Sequence, residues 1–407
     1  MRKNSGSKIP RLMYSAVVLV AWHASLAVAD EIDPLSVYVS ESLVRDSNLF
    51  RLPAGVTPAQ LGLSADSRAD RVRTDTVGLK LNKFYAMQRF SANASIANYR
   101  FSNFHFLDHV AKNIDGRWDW ALTPELNGAL GAGRKQTLNS FADYQSYVRN
   151  VRTADNLRAS AEYGVRGPWR VLGAVEDIKV ADSVPQTQTW NTRTHAVEGG
   201  VKHVSSGGNA FGYVLRRNLV TWPGRPLDAV GQYDNQARQT DHEFVLELQP
   251  GGKTRAKGIV TRVTRKHDAM AARDYSGTAG RLEIGWTPTA ALRLDLLARR
   301  EYASWWDSAA SYTVTDGLLF APVWRISPKL ALRGRVEQSN RDFHGPIQPL
   351  SGARRHDVSR TGMLALDWAP WRSLALSASW QLDRRRSTLE GLDYRDTIAG
   401  VAAQLSF

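Results

Sequence analysis

The segment Trp324-Arg325-Ile326-Ser327-Pro328, together with the run from Leu330 to Asn340 that follows it, decides the fold. In this run apolar and charged side chains alternate, which is the period-two pattern of a β-strand with one apolar and one polar face. Proline has no backbone N–H to donate to a neighbouring strand, so Pro328 is expected where a strand stops. The segment therefore predicts a tight turn followed by a half-apolar strand.

The same combination recurs along the chain at intervals of about 40 residues, with one interval of about twice that length. The prolines of the series are Pro124, Pro168, Pro250, Pro288, Pro328 and Pro370. A repeat of this length that holds two strands, one tight turn and one longer connection is a β-hairpin. A β-propeller has a similar repeat but divides it among four short strands, whereas two longer strands fill each repeat here. The chain is therefore predicted to be all-β and built from hairpins.

Residues 1–29 are predicted to be a secretory signal peptide. A basic start with four Lys or Arg residues is followed by an apolar stretch, and Ala27-Val28-Ala29 has the small-x-small pattern of a cleavage site. An uncleaved membrane anchor is the alternative interpretation. No Pro-, Ser- or Gly-rich linker interrupts the hairpin repeat, so residues 30–407 are predicted to form one domain. The chain has no Cys, so backbone pairing rather than disulfides must hold it together.

The last residues of the chain, 397–407, form another period-two run, with apolar side chains on one face as far as Leu405 and Phe407. A final strand that ends in Phe resembles the closing strand of bacterial outer-membrane barrels, which the outer-membrane assembly machinery reads. Leu405 and Phe407 are the predicted assembly signal. With the signal peptide and the hairpin repeat, this strand predicts a transmembrane antiparallel β-barrel in the bacterial outer membrane. We expect about 18 strands, with 16 as the alternative, joined by short periplasmic turns and longer extracellular loops.

Four tryptophans fall beside the predicted short turns, where a periplasmic aromatic girdle would meet the membrane surface. They are Trp120, Trp286, Trp324 and Trp368. Ordinary packing within the sheet is the alternative. The mean hydropathy of −0.36 agrees with a membrane barrel, because only every second residue of such a barrel faces lipid.

The formal net charge is +14, of which the basic start of the signal contributes four, leaving +10 for the rest. One interpretation is a lumen or rim that favours anions. The other is contact with anionic outer-membrane lipid and with lipopolysaccharide phosphates. Charged residues on predicted lumen faces are the candidate substrate contacts, because arginine forks suit carboxylate, sulfate and phosphate groups. These candidates are Arg293, Arg299, Arg333, Arg335 and Glu337.

The sequence contains no recognisable catalytic constellation: it has no nucleophile elbow, no Gly-rich phosphate loop and no paired-ligand spacing for zinc. His105 and His109 lie four residues apart, but in an aromatic segment that is more typical of a loop than of a helix. We therefore predict no catalytic residues, no metal, no cofactor and no nucleic-acid partner.

The stretch Asp46-Ser47-Asn48-Leu49-Phe50-Arg51-Leu52-Pro53 follows the first predicted strand and resembles a segment of the EpsL family. Further resemblance lies in residues 85–90, 99–104 and 118–124. EpsL proteins are outer-membrane barrels encoded with exopolysaccharide biosynthesis and exosortase systems. The resemblance implies a role at the outer-membrane step of polysaccharide export. It also implies a polysaccharide partner, acidic or neutral, and periplasmic export partners.

Four hypotheses of function follow. The first is a polysaccharide translocation pore or its accessory. The alternative is a general or substrate-selective porin for uptake of small anionic or sugar solutes. A plugged barrel with binding loops and a barrel enzyme with catalytic residues on its wall are the third and fourth.

Overall fold

The computed structural model describes residues 34–63, 66–143, 146–228, 233–305, 310–345 and 354–407. The predicted signal peptide lies outside the described residues, so its assignment and cleavage site stay predictions. Within the described ranges, none of the helices has the length and apolar character needed to span a bilayer.

Eighteen strands form one antiparallel sheet. They are β1 (Leu35–Asp46), β2 (Asp70–Tyr85), β3 (Gln88–Phe101), β4 (His109–Ala121), β5 (Leu126–Leu138), β6 (Val151–Arg166), β7 (Trp169–Asp182), β8 (Thr192–Val204), β9 (Ala210–Thr221), β10 (Gln236–Leu248), β11 (Thr254–His267), β12 (Tyr275–Trp286), β13 (Leu292–Ser304), β14 (Tyr312–Ser327), β15 (Leu330–His344), β16 (His356–Trp368), β17 (Leu374–Ser387) and β18 (Tyr394–Ser406). Short 3₁₀ turns lie in four of the connections, at Ala59–Leu61, His105–Leu107, Pro185–Trp190 and Ala271–Arg273.

Each strand pairs with the next one in the chain, and β18 pairs with β1, so the sheet closes into a barrel. The predicted fold class and the count of 18 strands are confirmed. A closed sheet leaves no free edge, which is why a chain without Cys can hold its shape by backbone hydrogen bonds alone.

The strand register assigns every side chain to the lumen or to the outer surface, because residues opposite each other in an antiparallel pair share a face. Trp380 lies opposite Ala399 on the outer surface, while Ser379 lies opposite Gly400 on the lumen side. The outward set is apolar over the middle of the strands and strongly exposed, as at Val401. This exposed apolar band is the surface that a transmembrane barrel presents to lipid.

The two ends of the barrel differ in their connections. Turns such as 167–168 and 328–329 join strands at one end, whereas connections such as 47–69 and 139–150 join them at the other. The short-turn end is the periplasmic end, and the opposite end is the outer mouth.

Three of the four girdle tryptophans lie half-exposed on the outer surface at the periplasmic end: Trp286, Trp324 and Trp368. Trp120 lies at the same end of β4 but is less exposed, because its indole ring lies over Gly128 of β5. A Cβ added at Gly128 would lie 2.4 Å from that ring. The positions fit an interfacial girdle, and the contact with lipid stays a prediction.

Phe407 closes the barrel seam through its backbone. Its N–H donates to the carbonyl of Val37 at 2.8 Å, and its carbonyl accepts from the N–H of Val37 at 3.0 Å. The ring is 73% exposed and Leu405 faces the same way. The terminal residue therefore has two separable parts, a backbone that completes the sheet and a ring left on the outer surface.

Candidate functional site in the lumen and outer mouth

The lumen contains a cavity of about 1000 Å³. It extends from Ala375 and Gln404 near the periplasmic end to Trp222 and Tyr394 near the outer mouth. Its two sides differ in chemistry. One side carries arginines and carboxylates, and the other carries small uncharged side chains.

On the charged side, Arg299, Arg335 and Glu337 form one ion-paired network. Arg299 Nη2 donates to Glu337 Oε1 at 2.9 Å, and Arg335 donates to the second carboxylate oxygen of Glu337. Arg299 and Arg335 come from strands β13 and β15, which are separated by β14. The side chains are 15–28% exposed, so they border the cavity and stay partly in contact with water. Three of the predicted lumen residues are therefore brought together, but as a locally compensated cluster rather than as free cations.

Arg333 also borders the cavity, nearer the periplasmic end, and is ion-paired with Asp367 of β16. Arg293 differs from the other candidates. It lies at the periplasmic rim, outside the residues that line the main cavity, and its guanidinium contacts Asp295 at 2.9 Å. Whether any of these residues contacts a solute stays a prediction.

A second charged network occupies the wall around β6 to β9, where Arg158 and Arg216 lie between two glutamates. Arg158 contacts Glu198 at 2.5 Å and Glu176 at 3.4 Å, and Arg216 contacts Glu176 at 2.7 Å as well as Glu198. Because each arginine bridges both glutamates, this part of the wall is also compensated internally.

A third stretch of the wall, formed by β17, β18, β1, β2 and β3, lies between the two charged networks in the ring, and over its middle part the lumen-facing side chains carry no charge. They are Ser377, Ser379, Gln381, Gly400, Ala402, Gln404, Ser40, Ser42, Val44, Thr74, Thr76, Ser95 and Ala97. The Ser and Thr hydroxyl groups of this hydroxyl wall both donate and accept hydrogen bonds and can rotate, whereas the side chains of the two charged networks are held in ion pairs.

Three connections pack on one another at the outer mouth, and their described residues are 47–63 and 66–69, 102–108, and 139–143 and 146–150. Their apolar side chains form the mouth cluster, which consists of Leu49, Phe50, Leu52, Val72, Phe101, Phe104, Leu107 and Phe141. Phe50 is central, with ring centroids 4.6 Å from Phe104 and 4.8 Å from Phe141. Full burial of a Leu or Phe contributes about 1.5–3 kcal/mol, so the folded-in position of these connections is strongly favoured.

The turn that contains Phe50, residues 48–51, is fixed by a buried arginine. Arg51 adopts a left-handed backbone conformation with φ of 58°. Its guanidinium lies 3.0 Å from Asp46 and 2.9 Å from Asp396, which come from the two strands of the seam. Burial opposes the charge on Arg51, but the two carboxylates outweigh it, so the pKa of Arg51 is raised above its ordinary value. The stretch that carries the family resemblance is thus a structural anchor of the mouth.

Asp143 ties the 139–150 connection to the far side of the ring. Its carboxylate lies 3.0 Å from Arg341, 3.1 Å from Arg385 and 3.9 Å from Arg355. Strands β5 and β6 lie roughly opposite β15–β17 in the ring, so this contact crosses the mouth. Burial would raise the pKa of the Asp143 carboxyl, but attraction by Arg341 and Arg385 holds it below its ordinary value. The cross-mouth contact therefore persists at neutral pH.

Another part of the mouth combines cations with aromatic rings. The ring of Trp222 is buried, with the guanidinium carbon of Arg225 4.8 Å and that of Arg265 5.7 Å from its centroid. Arg265 Nη1 donates to the hydroxyl of Tyr275 at 3.2 Å, whereas its buried Nε has no acceptor within the described residues. Since Trp222, Arg225 and Arg265 border the cavity, a solute entering from outside meets this cluster early.

Sequence reasoning did not identify Asp143 or Arg265 as functional candidates. A signal was present for the first, since Phe141-Ala142-Asp143 places an apolar ring beside an acid in a connection expected to be polar. The sequence also suggests aromatic side chains in the connections that could stack on sugar rings, with a structural loop role as the alternative: Tyr144, Tyr147, Trp190, Trp222, Trp305 and Trp306. Of these, Tyr144 and Trp306 lie outside the described residues.

The closed sheet, the apolar outer band and the water-accessible lumen define an 18-stranded barrel of the porin type. No family model matches the sequence, and no curated protein matches it significantly. The fold is similar to OccK2 (OpdF) of Pseudomonas aeruginosa, with a TM-score of 0.50 and 8% identity over 92% of this chain and 98% of that one. OpdK of P. aeruginosa and a BenF-like porin of Pseudomonas fluorescens Pf-5 have TM-scores of 0.48 at 9% and 8% identity, over 92% of this chain and 99% of each of those chains. At these identities the likeness concerns the barrel fold.

Proposed function

We propose that the protein is an outer-membrane porin that admits small polar solutes, particularly those that carry an anionic group or several hydroxyls. The observation that carries this proposal is the mixed lining of the cavity, in which arginine–carboxylate pairs and a wall of hydroxyl and amide side chains border the same space. A barrel of 18 strands is wide enough for an aqueous lumen.

The ion pairs on the charged wall support passage rather than tight retention. Arg299 and Arg335 border the cavity, so a solute carboxylate competes with Glu337 for their guanidinium groups. The serine and threonine hydroxyl groups of the hydroxyl wall donate hydrogen bonds to the same solute and accept hydrogen bonds from it. Weak binding at several points along a lumen favours conduction.

The porin fold of OccK2 is consistent with this proposal. Trp222, Arg225 and Arg265 border the cavity at the outer mouth, where cations beside aromatic rings favour the approach of an anionic solute.

Polysaccharide export is the second candidate, and the resemblance of residues 46–53 to the EpsL family favours it. The structure of the mouth argues against a polymer passing through this conformation, because Asp143 holds a connection across the opening. An accessory role beside a separate export pore avoids this difficulty, as does a partner that displaces the connection.

Single-channel conductance of the refolded mature protein distinguishes the two candidates. We expect a small, stable conductance that is reduced by small anionic or sugar solutes added at millimolar concentration. Block by the polysaccharide of the source strain, but not by small solutes, would favour export. No conductance from a correctly folded barrel would overturn the porin proposal.

A further inference from the structure

Three arginines form a continuous row on the outer surface near the mouth. Arg360 of β16 lies directly opposite Arg384 of β17, and Arg384 lies directly opposite Arg395 of β18. All three side chains are exposed. The residues before and after Arg384 in β17, Asp383 and Arg385, are buried on the lumen side. The arginine row (Arg360, Arg384 and Arg395) is therefore a strip of three positive charges on adjacent strands.

Such a row is unfavourable without a counter-ion, because like charges directly opposite each other destabilise a strand pair. Within the described residues, none of the three guanidinium groups forms an ion pair with an acid. Arg360 donates only to the amide oxygen of Gln338. Arg386, two residues beyond Arg384 on the same face, adds a further exposed cation.

Some other arginines that face outward near the mouth differ in this respect. Arg134 is held by both oxygens of Asp155, Arg193 by Asp177, and Arg300 lies 3.7 Å from Asp316. Within the part of the chain that the structure describes, carboxylates therefore partner several outward cations around the barrel but none of the arginine row.

Immediately towards the periplasm from the row, the same face is apolar. Leu364 and Trp380 lie opposite each other on β16 and β17, and Val401 continues the surface on β18; they are 47–57% exposed. A ligand that fits this surface has an anionic head beside apolar chains, since the head meets the arginines while the chains lie on the exposed side chains below.

We propose that the arginine row binds the phosphate groups of a lipopolysaccharide molecule in the outer leaflet, with its acyl chains on Leu364, Trp380 and Val401. Arginine forks bind phosphate through two parallel charge-assisted hydrogen bonds. The position at the outer border of the apolar band is where the phosphorylated sugars of an outer-leaflet glycolipid lie. The inference rests on the outer-membrane location that the proposed function assumes, but not on conduction.

The test measures binding of phosphorylated lipid A and of chemically dephosphorylated lipid A to the full-length mature protein refolded in neutral detergent. The two lipids share their acyl chains, so their difference isolates the phosphate contribution. We expect wild type to bind the phosphorylated form at least about tenfold more tightly. Millimolar inorganic phosphate should not displace it, because a free anion lacks the apolar contact. Equal affinity for the two lipids would overturn the proposal, and so would displacement by phosphate alone.

The triple variant R360Q/R384Q/R395Q should lose most of this preference. R134Q is the matched control, because Arg134 faces outward at a similar height but already has Asp155 as its partner. Retention of the wild-type preference by the triple variant, or an equal loss in R134Q, would contradict the proposal. If the triple variant does not fold, R384Q alone, at the centre of the row, carries the comparison.

Conductance of the same preparations separates this proposal from the proposed function. Loss of the phosphate preference with wild-type conductance supports the lipid site. Phosphate-dependent lipid binding by a wild-type barrel that does not conduct would support the lipid site and overturn only the porin proposal.

Discussion

The two ends of this barrel are stabilised by different kinds of contact. At the periplasmic end, tight turns join the strands, and an ion pair such as that of Arg333 with Asp367 stays within neighbouring strands of the wall. At the outer end, long connections fold inwards, bury Phe50 among other rings, and reach across the ring through Asp143. The comparison indicates that contacts between neighbouring strands hold the periplasmic end, whereas contacts between distant segments hold the outer mouth.

Deletion of Phe407 should have the largest effect, because it removes the last backbone hydrogen bonds of the seam with Val37. We expect the heat-modifiable folded barrel in the membrane fraction to fall by about an order of magnitude. F407A is the informative companion, since it keeps the backbone and removes only the exposed ring. A deletion mutant with wild-type levels of folded barrel would show that the periplasmic end does not depend on its closing residue.

D143N should have the next largest effect and act on the opposite end. Loss of the carboxylate removes charge-assisted contacts worth about 1–3 kcal/mol, which shifts the mouth equilibrium towards open by roughly tenfold or more. Single-channel recordings should show a severalfold larger or more frequent open level. D367N is the control, because it removes the same charge at the periplasmic end, and its mean conductance should change little.

The same contact sets the pH dependence of the mouth. The pKa of Asp143 in the folded protein is below that of an ordinary aspartate, so its stabilising contribution is fully present above about pH 4. It is lost only as the pH falls through the lowered value. Conductance should therefore be constant between pH 8 and pH 5 and rise at lower pH in wild type but not in D143N. A transition near neutral pH would assign control of the mouth to another group.

R333E/R335E should have a smaller effect, confined to ion selectivity. The two reversals remove Arg333 from Asp367 and Arg335 from Glu337 and add two negative charges to the wall, so reversal potentials in a salt gradient should shift towards cation preference. R293E provides the control, because Arg293 lies at the periplasmic rim outside the main cavity. Equal shifts in both variants would mean that the rim, and not the cavity wall, sets selectivity.

Much of the fold could be predicted from the sequence because its evidence is local. Period-two alternation places Arg335 and Glu337 on one face of one strand, and they do contact each other in the lumen. The seam residue Phe407 and the tryptophans beside the turns were also located by short patterns. The site was less accessible to sequence reasoning, since Asp143 belongs to a connection whose path depends on the packing of two other connections.

The sequence by itself predicted an antiparallel barrel of about 18 strands, the two faces of clearly alternating strands such as β15, and the end at which the long connections lie. These properties depend on alternation and on proline, which act over a few residues. Only the tertiary structure decided that Arg299 shares Glu337 with Arg335, that Asp143 reaches Arg341 across the mouth, and that Arg360, Arg384 and Arg395 stand in one row. Such partnerships join distant segments, and the strand register and the path of the loops fix them.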